Sequence, residues 1–112
     1  MQLVHFLEDV KTVLATPDKW IQHQMAQNEN GERCGPYLDE ATCWCLVGAC
    51  RKVAHDHGWP PAFDDGMDLI AETITKLYGS DRYTIPMWND MPDRTHAEVM
   101  EILNHTIISV KA

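Results

Sequence analysis

The twelve residues Cys43 to Ala54 read CWCLVGACRKVA and are apolar in nearly every direction until Arg51. A helix of that kind is stable in water only when neighbours cover it on several sides. The rest of the chain must supply those neighbours, so one central buried helix organises the expected fold. Gly35-Pro36 breaks the chain ahead of it, and Asp39 suits the N-cap of a helix from about Glu40 to His57. Gly58 and then Pro60-Pro61 stop it. Gly48 inside it costs about 1 kcal/mol against alanine, which predicts a close crossing by another element at that point.

The covering elements follow from spacing. Leu3, Phe6, Leu7, Val10 and Leu14 recur at helical intervals, and Pro17 ends that helix near Thr16. WIQHQMAQ alternates from Trp20 and leads to Asn30-Gly31, a tight-turn signal, so a two-stranded hairpin is expected across Trp20 to Cys34. Such a pair is marginal alone and must lie against helices. Met67, Ile70, Ala71, Ile74, Leu77 and Tyr78 form a further stripe, capped by Asp64 or Asp65 and closed by Gly79. After a polar turn at Ser80-Asp81-Arg82, YTIPMWNDMPDR has no helical period and carries Pro86 and Pro92, which predicts an ordered loop or short strand. Thr95 and Glu98 form a capping box for a last helix bearing Val99, Ile102, Leu103, Thr106 and Val110. The expected fold is one mainly α domain over residues 1–112 with minor β: four helices packed around a central buried one, a short hairpin and a tryptophan-bearing loop.

Charge narrows the function classes. The 17 acidic residues outnumber 9 Lys and Arg, for a formal charge of -8, and no basic patch offsets it. Such a chain repels phosphate backbones and anionic membranes but suits a basic protein surface. MQLVHFLEDVKTVLA has acidic residues inside its apolar pattern and no basic start, and no run approaches the length of a membrane span. A cytoplasmic protein is expected, with Cys34, Cys43, Cys45 and Cys50 as free thiols.

Trp20 with Gln22, then Trp44-Cys45-Leu46-Val47-Gly48-Ala49, then Trp88-Asn89-Asp90 with Pro92, Arg94, Thr95, Glu98 and Val99 form a distinctive set. It resembles a group of small proteins of bacteria and their phages that have no assigned function. The resemblance implies a small helical domain and no particular activity. The chain departs from the pattern at His23, where glycine is common, and at Asp93, where a Pro-Gly turn is common.

Four groups of residues have chemical potential. Cys43-Trp44-Cys45 opens the expected central helix, where the dipole lowers a thiol pKa, and is similar to the nucleophile region of papain-like hydrolases. His96 would be its base and Asn89 or Asp90 the orienting group. Against this, buried cysteines act as small hydrophobes. Cys34, the helix cysteines and His55 or His57 supply soft metal ligands in number. C-x-C on a helix, however, aims its thiols about 200° apart, leaving only Cys43 and Cys50 with His57 or Cys34, so no metal or cofactor is expected. Trp20, Gln22, Trp88, Asn89, Asp90 and Arg94 would line a small polar cleft between the Trp-bearing loop and the hairpin, with Arg94 pairing Asp90 or Asp93. Turn formation by Asn89 and Asp90 and core filling by Trp88 explain the same residues. Finally, Asp65, Asp68 and Glu72 share one helix face beside Asp64, either as a solvated surface or as a complement to an arginine-rich groove. The leading expectation is a non-enzymatic protein-binding domain, a phage accessory or anti-defence factor engaging a basic site on a host protein. The alternative is a small-ligand binder or cysteine hydrolase using Cys43 and the Trp88-Asn89-Asp90 segment.

Overall fold

In the computed structural model, which describes residues 1–79 and 84–112, helix α1 spans Leu3–Val13 and ends as expected ahead of Pro17. Its buried face is Phe6, Leu7 and Val10. A single 3-10 turn, Pro17–Lys19, leads into an extended segment that reaches strand β1, Ala26–Asn28. Strand β2 is Ala41–Trp44, followed by α2 (Leu46–Asp56), α3 (Pro61–Tyr78), α4 (Ile85–Asn89) and α5 (His96–Lys111). The expected turn Ser80-Asp81-Arg82 lies outside the described residues, as does Tyr83. The fold is mainly helical with a small antiparallel β pair.

The central apolar run divides in two. Residues 41–44 pair with β1 in the register Ala26↔Trp44, Gln27↔Cys43, Asn28↔Ala41, and the helix starts only at Leu46. Asp39 is therefore not its N-cap. Cys45 takes that place, its sulfur accepting from the Gly48 amide at 3.3 Å. A short apolar run satisfies either period, and here backbone pairing with β1 decides for a strand. From Leu46 on the burial is as expected, with Leu46, Ala49, Cys50 and Ala54 wholly buried. Gly48 is the crossing point: a methyl there would overlap the Met25 carbonyl oxygen.

The hairpin is correct in its turn and not in its arms. Gly31, at φ 78°, closes a turn by donating to the Asn28 carbonyl at 3.0 Å. The returning arm pairs only through Gln27↔Arg33, and the regular partner of β1 is β2. Residues 20–25 are not a strand; Ile21 instead donates its amide to the Trp44 carbonyl at 3.0 Å.

Pro60-Pro61 both stops α2 and starts α3. The Gly58 amide donates to His55 O and the Trp59 amide to Ala54 O, the paired bonds of a Schellman end. Pro60 is then the N-cap of α3, with Pro61 at a first-turn position where a missing N–H costs nothing, so α3 begins three residues ahead of Asp64. Gly79, at φ 70°, closes α3 as expected. The Trp-bearing segment forms a one-turn helix, α4, because the Thr84 hydroxyl caps Met87 N at 3.3 Å and Pro86 falls in the first turn. The Thr95/Glu98 capping box on α5 forms with both of its bonds.

One apolar cluster joins all five helices of the described residues, from Phe6 through Leu46, Ile70 and Trp88 to Leu103. Burying each such side chain contributes about 2 kcal/mol. The half-exposed Lys52–Asp56 pair at 3.2 Å is worth under about 1 kcal/mol, so packing and not surface charge holds the helices together.

Candidate functional site

The short helix α4 aims Trp88 and Asn89 inward, and both are fully buried. Asn89 Oδ1 accepts from Trp20 Nε1 at 2.7 Å and from the Leu46 amide at 3.1 Å. Its Nδ2 donates to the Ile21 carbonyl at 3.2 Å and to Asp90 Oδ1 at 2.9 Å. A carboxamide has two donors and two acceptor lone pairs, and all four are used. Leu46 is the first residue of α2, so α4 satisfies an orphan amide at the start of the most buried helix. Gln22 Nε2 donates to the Asn89 and Met91 carbonyls, both at 2.9 Å, and Asp90 Oδ1 accepts the His23 amide at 2.8 Å. Trp20, Gln22, Asn89 and Asp90 are thus brought together as a knot of mutually satisfied groups. His23 and Asp93 have φ of 73° and 68°, a backbone region that glycine enters more readily than other residues.

Beneath the knot, Arg94 covers the Trp88 ring at 4.1 Å from its centroid and the Tyr78 ring at 4.8 Å. Its Nε donates to the Trp88 carbonyl at 2.9 Å, and its ion-pair partner is Glu98 at 3.2 Å, not Asp90 or Asp93. The i,i+4 spacing along the start of α5 delivers that carboxylate directly. Glu98 also accepts the Thr95 amide at 2.9 Å and the Tyr78 hydroxyl at 3.3 Å. The Thr95 backbone bond, with the Thr95 hydroxyl and Arg94 in support, holds the Glu98 carboxyl below its ordinary 4.5. Burial pushes the Tyr78 phenol up, and the Glu98 charge adds to that. A carboxylate with a depressed folded pKa stabilises the fold above its unfolded value, and the effect fades as pH falls through the folded one. Glu98→Gln should therefore melt below the natural protein at pH 7, and the two melting curves should converge by about pH 3. A gap that is the same at both pH values would show that the Glu98 charge contributes nothing.

Of the six residues expected to line a cleft here, Asp90 borders a cavity. It shares this space, of about 130 Å³, with His23, Met25, Cys45 and Pro86. That is well under the roughly 300–1,000 Å³ typical of small-molecule sites. Trp88 is buried with its indole N–H unpaired among the described residues, while Asn89 and the side chain of Arg94, which is 7% exposed, are committed to internal partners.

The cysteines and His96 are held apart. Cys43 lies in β2 and not at a helix start, with its thiol 3.9 Å from the Gln27 carbonyl. His96 Nε2 is 2.6 Å from the Leu14 carbonyl, which makes it the donor there and ties α5 to the end of α1. At Cys45, the residue that does cap α2, burial pushes the thiol pKa up against the opposing pull of the Gly48 amide. Cys50 is pushed up further by complete burial. All four thiols are free. His57 pairs with Asp9 at 3.3 Å and His55 stacks on Tyr37 at 4.6 Å, so neither ring is directed at a cysteine.

The outer surface of α3 is different in kind. Asp64, Asp65, Asp68 and Glu72 are all exposed, and among the described residues no cation pairs with them. Next to their N-terminal end stands an aromatic patch that the sequence reading missed. Trp59, 45% exposed and at φ 57°, packs edge-on to Phe63 at 5.4 Å and to Tyr37 at 5.8 Å. The four-residue interval of His55, Trp59 and Phe63 was its available signal. The fold conceals it by placing a helix end between them and by bringing Tyr37 in from a loop.

These features define a small helical domain with a polar knot at its centre and an acidic, partly aromatic exterior. The chain belongs to the Family of unknown function (DUF6197), whose model matches residues 1–108. No curated protein and no solved structure matches it. Among the described residues no helix is long and apolar enough to cross a membrane.

Proposed function

We propose that this chain is a non-enzymatic protein-binding domain whose α3 face docks on a basic surface of its partner. The observation that carries the reading is the run of exposed carboxylates at Asp65, Asp68 and Glu72, with which no cation pairs among the described residues, together with the exposed indole of Trp59 just ahead of α3 in the chain. A tryptophan anchor beside like-signed charges is the composition of a binding hot spot with a steering rim. Trp88 and Asn89 are turned inward, which favours recognition by this exterior. The finer reading is a phage accessory or anti-defence factor occupying a basic site on a host protein. It draws on the likeness of the tryptophan motifs to small bacterial and phage proteins.

The test is affinity capture of partners from host lysate on the immobilised domain at about 0.05 and 0.5 M salt, which spans strong and weak screening. Capture should be salt-sensitive. Reversing Asp65, Asp68 and Glu72 to Lys should weaken it at least about tenfold, chiefly through slower association. Trp59→Ala should weaken it about thirtyfold through faster dissociation. A partner indifferent to salt and to both variants, or no partner at all, would remove the basis for this reading.

A further inference from the structure

The face opposite in character to α3 is the groove between α1 and α5. It is lined by Ala15, Met100, Ile107 and Ile108 with Glu8, Lys11 and Lys111, and has a volume of about 500 Å³. Ile108 is 63% exposed, the most exposed of the large apolar side chains among the described residues. It occupies a position where solvent gains nothing from it. Glu8, Lys11 and Thr12 of α1, with Ala15 just past its end, and the α5 residues Glu101, Asn104, Ile108 and Lys111 fall at three- and four-residue steps, so each set forms one stripe.

The charges on this face decide what can cover it. Glu8, Lys11 and Lys111 line the groove, Glu101 on the exposed side of α5 outside that lining brings the count to two charges of each sign, and none of the four has an ion-pair partner among the described residues. The face is locally neutral on a chain of net charge -8. A small anion would meet the two carboxylates, and a small cation the two ammonium groups. A surface carrying the same two signs in mirrored order satisfies all four, and the one such surface known to be present is this face on another copy. A twofold axis makes each such pairing occur twice, because an isologous contact sets residue i against j and j against i. It also joins two strongly acidic molecules through a part of each that does not repel the other.

We propose that the α1–α5 groove is a self-association surface, in which a second copy of this chain docks about a twofold axis. Ile108 of each copy fills the other's groove, and Glu8 and Glu101 meet Lys111 and Lys11 across the interface. The acidic α3 face stays free on both copies.

Sedimentation velocity across about 1–100 µM should show a concentration-dependent dimer, the range in which a modest interface of this kind associates. Ile108→Glu, at an exposed position that spares the fold, should be monomeric throughout with an unchanged melting curve. Two charge variants keep the test decisive. Lys11→Glu with Lys111→Glu makes the face wholly acidic, and Glu8→Lys with Glu101→Lys makes it wholly basic. Each alone should be monomeric, and an equimolar mixture should form a one-to-one heterodimer. A natural protein that is monomeric over the whole range, a dimer that survives Ile108→Glu, or charge variants that do not recombine on mixing would each overturn the proposal. These outcomes do not depend on whether the α3 face binds a partner.

Discussion

Gly48→Ala should destabilise the fold by about 3 kcal/mol or more, although helix propensity alone forecasts a gain of about 1 kcal/mol. The reason is local and rigid. A methyl at Gly48 would overlap the Met25 carbonyl oxygen and stand 2.8 Å from its carbonyl carbon. That oxygen is fixed because it already accepts the Cys45 amide at 3.2 Å, one of the bonds that secures the start of α2. No side-chain rotation relieves a clash with backbone, so either α2 or the segment leading into β1 must shift and lose packing along its length. For a domain of this size the melting temperature should fall by about 10 °C or more. Gly66→Ala is the control, since its methyl would meet the edge of the Phe6 ring at 2.7 Å, a side chain that can tilt. It should cost clearly less. A Gly48→Ala protein that melts at or above the natural one would mean that Met25 does not cross α2 there.

That same crossing shows how far the sequence could be read. The glycine inside an apolar helix announced a close contact, and its partner, a backbone carbonyl in the segment entering β1, follows only from the three-dimensional path. Helices with a clear stripe or cap were legible: α1 from its period, α5 from its capping box, the end of α3 from Gly79. The start of α2 was not, because Ala41 to Trp44 is apolar enough for either period, and the choice is made by pairing with β1 some fifteen residues earlier. Pro60-Pro61 spells both a stop and a first turn, and only the stop is visible without the Schellman bonds at Gly58 and Trp59. The Trp88-Asn89-Asp90 segment was legible as a meeting place with Trp20 and Gln22, but its direction was not. Whether a polar side chain faces a cleft or plugs a core depends on long-range donors and acceptors that have no local signature. The exposed carboxylates of α3 needed only the helical period, and the aromatic patch at Trp59 needed a loop residue that no period reveals.

Asn89 is where those long-range bonds converge, so its replacement should be the costliest polar substitution in the chain. Asn89→Ala strips the acceptor from the buried Leu46 amide and from the Trp20 indole, and strips the donor from the Ile21 carbonyl. Each buried group left unpaired costs about 1–3 kcal/mol, so a loss of about 4 kcal/mol is expected, with a cavity beneath Trp88 adding to it. Because the Leu46 bond caps α2, amide exchange should accelerate first at the start of that helix, ahead of α5. Asn89→Asp separates charge from shape. It keeps the oxygen facing Leu46 and Trp20 but sets a buried carboxylate against Asp90 and the Ile21 carbonyl, both of which require a donor. Burial and the Asp90 charge raise the folded pKa of the introduced carboxyl, so its penalty grows as pH rises above the unfolded value. Asn89→Asp should therefore be about as damaging as Asn89→Ala at pH 7 and should recover towards the natural protein as pH falls to about 4, where a proton restores the missing donor. The Asn89→Ala deficit should show no such recovery. Parallel denaturant titrations at the two pH values measure both gaps. If the two variants respond alike to pH, the four bonds of this side chain are not what ties α4 to the central helix.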